Sequence, residues 1–209
     1  MRTKMPARRT RRIQAPSTGK GARPTAGVFT SEDGAIEGCR KDVQSIRPDW
    51  IRVQKLIQGV KVHESRNVPK GQGILTEIFR RDWQIDDGGV DQVFQVLMAP
   101  GEVSAWHAHQ FGRDRIFISQ GSVKVVLYDG RTSSRTFGRI NEFQFGSSRP
   151  GLVLIPPGVW HGTQNVSHQP SVTLNLTDHA YRYKDPDHWR LPSDSPKIPY
   201  QFSPINAAR

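Results

Sequence analysis

Apolar residues in this chain recur at every second position in short runs separated by turn residues. That alternation marks strands with one face turned to a core. Eight runs carry it: Val60 to His63, Gly73 to Phe79, Val93 to Met98, Val103 to His109, Arg115 to Ser119, Ser122 to Tyr128, Gly151 to Ile155 and Ser171 to Leu176. Short strands at this spacing predict an all-β sandwich or barrel. No tandem repeat and no strand–helix alternation runs through the chain, which argues against a doubly wound dinucleotide fold. The segment from Asp42 to Gly59 reads differently. Pro48 suits a first helical turn, Trp50, Ile51, Val53, Leu56 and Ile57 supply apolar positions, and Gly59 is a stop signal. A short packing helix is therefore expected ahead of the barrel.

The chain has 209 residues, enough for one domain with a sizeable core and short for two. The pattern divides it into a basic tail (1–33), a helical lead-in (34–59) and the β domain (60–202). The net charge of +11 suggests nucleic-acid binding until it is mapped along the chain. Arg2, Lys4, Arg8, Arg9, Arg11, Arg12, Lys20 and Arg23 fall within residues 1–31 beside no acidic residue, which leaves only +3 for the rest. The tail is poor in apolar residues and rich in Pro, Gly, Ser and Thr, a composition that predicts disorder. Its chemistry fits a nucleic-acid arm, a transit peptide or a dispensable extension, so nucleic-acid contact is not expected except weakly through the tail. One cysteine, Cys39, excludes a disulfide framework and a thiolate zinc site, and a reducing, cytoplasmic setting is the plain expectation. No apolar run approaches the ~20 residues of a membrane span.

The chemistry concentrates in two segments. His107-Ala108-His109 is followed by Asp114, and Pro156-Pro157-Gly158 leads into Val159-Trp160-His161. Residues two apart on a strand share a face, so His107 and His109 point the same way. Asp114 opens the next strand, and His161 can swing inward from its corner. The two segments resemble the two-part cupin signature, with Asp in place of the usual Glu. On this reading His107, His109, Asp114 and His161 hold one divalent metal ion inside a small barrel. Imidazole and carboxylate donors suit Fe, Mn, Ni, Cu or Zn and do not choose among them. The competing readings are buried polar histidines and, for Asp114, a surface ion pair with Arg113 or Arg115.

Four further motifs narrow the resemblance. Gly73 to Arg80 is similar to a Gly-x-x-x-Glu-x-Phe-Arg strand, and Asp129 to Gly138 to an Asp-x-Arg-x-x-Ser-x-Thr-Phe-Gly turn. Pro157 to Gly162 and Asp178 with Pro186-Asp187-His188 follow in order. Together they resemble the dTDP-4-dehydrorhamnose 3,5-epimerase branch of the cupins, over residues 58 to 200. The resemblance implies a jelly-roll barrel, a homodimer formed through the early strand, and a sugar or nucleotide-sugar substrate deprotonated by a histidine base at His107. Other family positions differ here. The arginine and lysine that steady the enolate are Ser104 and Asp114, and the tyrosine acid is Leu174. The aspartate that orients the base falls at Ser193 or Asp194. The nucleotide contacts become Gln72 and Ile74 or Leu75, with Glu77 retained.

Two departures favour a metal, because His109 replaces a glutamine and Asp114 replaces a lysine. The expected function is a metal-binding sugar epimerase or isomerase. A metal-dependent dioxygenase and a non-catalytic carbohydrate-binding cupin remain open as alternatives. Glu77, Trp106 and Trp160 are candidates for substrate contact, although tryptophans beside ligand histidines are more often wall residues. Glu77 and Tyr181 are candidate acid/base groups, while His63, His168, His179 and His188 have no spacing argument and read as surface or structural.

Overall fold

The computed structural model describes residues 30–48 and 53–204. Among these it contains strands β1 (Lys61–Glu64), β2 (Asn67–Lys70), β3 (Gly73–Thr76), β4 (Gln92–Met98), β5 (Val103–Ala108) and β6 (Asp114–Gln120). They are followed by β7 (Ser122–Asp129), β8 (Ile140–Gly146), β9 (Gly151–Ile155), β10 (Val159–Asn165), β11 (Ser171–Thr177) and β12 (Trp189–Arg190). One five-stranded sheet runs β1-β9-β6-β11-β4 and a second runs β12-β5-β10-β7-β8, with β2 and β3 as a separate hairpin. All pairings are antiparallel. This is the jelly-roll cupin architecture that the alternating pattern predicts, and each of the eight predicted runs holds a strand. No helix among the described residues is long and apolar enough to cross a membrane.

Side-chain phase explains the layers. Ile116 and Ile118 of β6, Val125 and Leu127 of β7, and Val153 and Ile155 of β9 meet between the sheets with Phe143 and Phe145 of β8. The intervening residues serve other clusters. Phe117, Leu152 and Leu154 pack outside the first sheet with Ile85 and Leu176. Val126 and Trp106 pack outside the second with Ile198. Strands covered on both faces read as almost continuous apolar runs, which is how β7 and β9 appear in the sequence. Asp114 lies in phase with Ile116 and Ile118, so it is carried between the sheets.

The chain divides into two units, residues 1–53 and 54–209. In the first, Ser31–Asp33 form a single 3-10 turn. Most of the expected basic tail lies outside the described residues. The helix expected between Asp42 and Gly59 is absent over the described residues, 42–48 and 53–59. A side chain of β8 takes the backbone partners that a helix would use. The Ile57 N–H donates to Asn141 Oδ1 at 2.8 Å, and Asn141 Nδ2 donates to the Lys55 carbonyl at 3.1 Å. Ile57 and Val60 enter the inter-sheet core individually, not as one face of a helix.

Candidate metal centre

His107 and His161 are directly opposite one another on β5 and β10, and Asp114 faces them from β6 in the other sheet. All three line a cavity of about 1080 Å3 between the sheets, together with His109 and His188. Local sequence fixes the approach of β10. Gly158 has φ of +77°, a left-handed conformation that suits glycine, and its N–H donates to the His109 carbonyl at 2.7 Å. Gly162 passes so close to β5 that a Cβ there would lie 2.4 Å from that of Ala105. The Pro-Pro-Gly corner thus delivers a strand, and the His-Gly step lets that strand press against β5.

Three groups converge. Asp114 Oδ2 lies 3.3 Å from His109 Nε2 and 3.3 Å from His161 Nε2. The three ligand atoms fall within 4.8 Å of one another. Each ring is fixed from behind by a backbone carbonyl: His109 Nδ1 bonds the Asp187 oxygen at 2.5 Å and His161 Nδ1 the Val159 oxygen at 3.2 Å. With Nδ1 donating, a neutral imidazole presents its Nε2 lone pair to Asp114. Two lone pairs facing a buried carboxylate at that distance repel unless protons or a cation sit among them. Carbonyls behind the far nitrogens are also how metal-binding imidazoles are held in orientation. The donor set therefore fits a divalent ion.

The charges agree. Burial opposes ionisation of Asp114, but the hydrogen bonds from His109 and His161 outweigh it and hold the carboxyl well below the usual carboxylate range. Burial also works against a charged His109, and its bond to Asp114 reverses the balance and raises it. Asp114 makes no pair with Arg113 or Arg115. Arg113 bonds Asp87 at 3.1 Å, and Arg115, fully buried on the other face of β6, bonds Asp86 at 2.7 Å.

His107, expected as a fourth ligand, stands apart from these three. Its Nε2 is 3.1 Å from Ser104 Oγ, and its Nδ1 is 3.0 Å from His188 Nε2. Burial, with the neighbouring His161, His188 and Arg190, lowers His107 to about 3, so the ring is neutral. Burial and Arg190 lower His188 as well. His188 has no ligand spacing in the sequence and enters the site as part of the Pro186-Asp187-His188 motif. Asp187 secures the same corner, accepting from the N–H groups of Gln110, Phe111 and Gly112 at 2.7, 2.8 and 3.0 Å. Burial tends to raise Asp187, but these three donors lower it.

Three candidates for substrate contact lie elsewhere. Trp106 alternates with His107 and therefore faces the opposite side, fully buried, with Nε1 donating to the Ser193 carbonyl at 3.3 Å. Trp160 alternates with His161 and packs on the same outer cluster. Glu77 is exposed, pairs with Arg80 at 2.8 Å and does not line the cavity. Tyr181 does stand at the cavity wall.

Residues 54–208 match the profile of the dTDP-4-dehydrorhamnose 3,5-epimerase family. The chain belongs to this family. It is 32% identical to the probable low-salt glycan biosynthesis epimerase Agl13 of Haloferax volcanii, over 66% of this chain and 89% of that one. It is 31% identical to the spore coat polysaccharide biosynthesis protein SpsL of Bacillus subtilis, over 71% and 97%. A crystal structure of a dTDP sugar isomerase from Desulfovibrio desulfuricans superimposes with a TM-score of 0.66 at 28% identity, covering 73% of this chain and 94% of that one. As a 3,5-epimerase family member the protein has the scaffold of sugar epimerases. One assignment within that scaffold needs correcting. Leu174, equated with the tyrosine acid, packs on the outer cluster of the first sheet, and the cavity-facing residues of β11 are Thr173, Asn175 and Thr177.

Proposed function

We propose that this protein epimerises a nucleotide-linked keto sugar, with His107 as the proton-transfer base beside a divalent metal held by His109, Asp114 and His161. The observation that carries the metal is the pair of Nε2 atoms turned toward Asp114, each ring fixed from behind by a carbonyl. The family's name and the Desulfovibrio dTDP sugar isomerase support the substrate class. When bound, the metal supplies a Lewis acid that draws electron density from a substrate oxygen. His107 is placed for proton transfer because it faces the cavity and lies in hydrogen-bond contact with His188, which fixes its ring where the family uses a carboxylate. Ser104 braces the other nitrogen. We further propose a homodimer formed through the β2–β3 hairpin, which pairs with neither large sheet and exposes Val68, Ile74 and Leu75.

The test is the metal content of untagged protein, followed by solvent deuterium incorporation into dTDP-4-keto-6-deoxyglucose. We expect about one equivalent of metal, exchange that stops on chelation and returns with Mn(II) or Fe(II), and no exchange in His109→Gln. Chelator-insensitive exchange, or full activity in His109→Gln, would overturn the metal's part. Two histidines and a carboxylate are also the donor set of non-haem iron oxygenases. Oxygen uptake in place of deuterium exchange would replace epimerisation with oxidation.

A further inference from the structure

β12 is two residues long, and its register gives it a purpose. Arg190 is directly opposite His107 on β5, and His107 is directly opposite His161 on β10. Opposed residues of antiparallel strands share a face, with Cβ atoms roughly 5 Å apart. Arg190, His107 and His161 therefore form one cross-strand row along the cavity wall, and Arg190 lines that cavity. The other cavity arginines are engaged: Arg113 with Asp87 and Asp178, and Arg182 with Asp185. Arg190 has no carboxylate partner among the described residues. Its guanidinium is exposed at that wall, and the cavity's buried carboxylate, Asp114, is taken up by His109 and His161, so Arg190 is left to meet an anionic group of a ligand.

The position also answers a deficit. Ser104 stands where the family has an arginine, too short to reach a substrate with charge, and Asp114 has replaced a lysine with a carboxylate. A cation has been lost from two places near His107 and gained at a third. We propose that Arg190 and His107 form an oxyanion subsite, in which the guanidinium binds the substrate oxygen next to the carbon that His107 deprotonates. When the C–H bond breaks, its proton goes to His107 and its electron pair moves into the adjacent carbonyl, whose oxygen becomes anionic against Arg190. A proton from solvent added to the opposite face collapses that charge and restores the ketone, and His107 releases the proton it took to solvent. The assignment deepens the epimerase reading and rests on it for the identity of the oxyanion.

Two measurements on the full chain decide it. Formate, a single small carboxylate, is titrated while the imidazole 15N resonances of His107 are followed. We expect saturable shifts in the wild type, binding weakened at least about tenfold in Arg190→Gln, and an intermediate result in Arg190→Lys, which keeps charge without the bidentate fork. Formate binding unchanged in Arg190→Gln would overturn the subsite, because any anion site on the metal alone survives that change. In the deuterium exchange assay, Arg190→Gln is expected to lower kcat by roughly 100- to 1000-fold with little change in KM, the signature of a contact made in the transition state. A loss confined to KM would overturn the oxyanion role. A wild-type chain that exchanges no deuterium defeats the epimerase reading, and the formate titration still decides Arg190.

Discussion

Asp129 shows what a single buried carboxylate organises. It is fully buried at the end of β7 and accepts from Ser134 Oγ and Thr136 Oγ1, each at 2.6 Å, and from Arg131 Nε at 2.8 Å. These are the polar positions of the Asp-x-Arg-x-x-Ser-x-Thr motif, so the motif records a turn folded around one anion. Burial alone would raise Asp129, but Arg131, Ser134 and Thr136 lower it. A carboxyl depressed in the folded state contributes stability that is complete above the unfolded value of about 3.9 and is lost as pH falls toward the folded value. Asp129→Asn should cost roughly 3 kcal/mol at pH 7 and flatten the acid limb, measured by urea unfolding at pH 7 and pH 3. Residue spacing made His109, Asp114 and His161 legible from sequence, since i, i+2 phase and strand starts are local properties. His188 was not legible, because its partner His107 is 81 positions away and reaches it only through the pairing of β12 with β5.

Elements show the same division between local and long-range information. Only residues 142–145 of β8 alternate between polar and apolar, and the two polar residues Asn141 and Glu142 in succession hide the strand from the pattern. The lead-in over residues 53–59 is not helical and places single side chains such as Ile57 in the core, while Trp50 and Ile51 of the expected helix lie outside the described residues. Ile57 is 1% exposed there, so Ile57→Ala should cost about 3 kcal/mol in unfolding free energy, a loss foreign to a surface lead-in. The loop from Gln110 to Gly112 is held by three bonds to Asp187, whose backbone carbonyl also orients His109. Asp187→Ala should weaken metal binding about 10- to 100-fold while the far-ultraviolet circular dichroism is retained, as measured by competition with a chromogenic chelator.

For the whole molecule, the exposed hairpin is the feature that a monomer leaves unexplained. Ile74 is 69% exposed, with Val93 and Leu97 open on the edge strand β4. Unpaired apolar edges are normally covered. Light scattering should give twice the mass of one chain, and Ile74→Lys should shift it toward the mass of one. The placement of the candidate ligands has a separate mechanical consequence. Asp114 belongs to one sheet and His161 to the other. An ion gripped by both acts as a clasp between the two leaves of the jelly roll, and prising them apart must first release it. The melting temperature should therefore climb with metal concentration, by the equivalent of about 4 kcal/mol at a thousand times the dissociation constant. Calorimetry across a metal titration would measure the strength of that clasp without any substrate present.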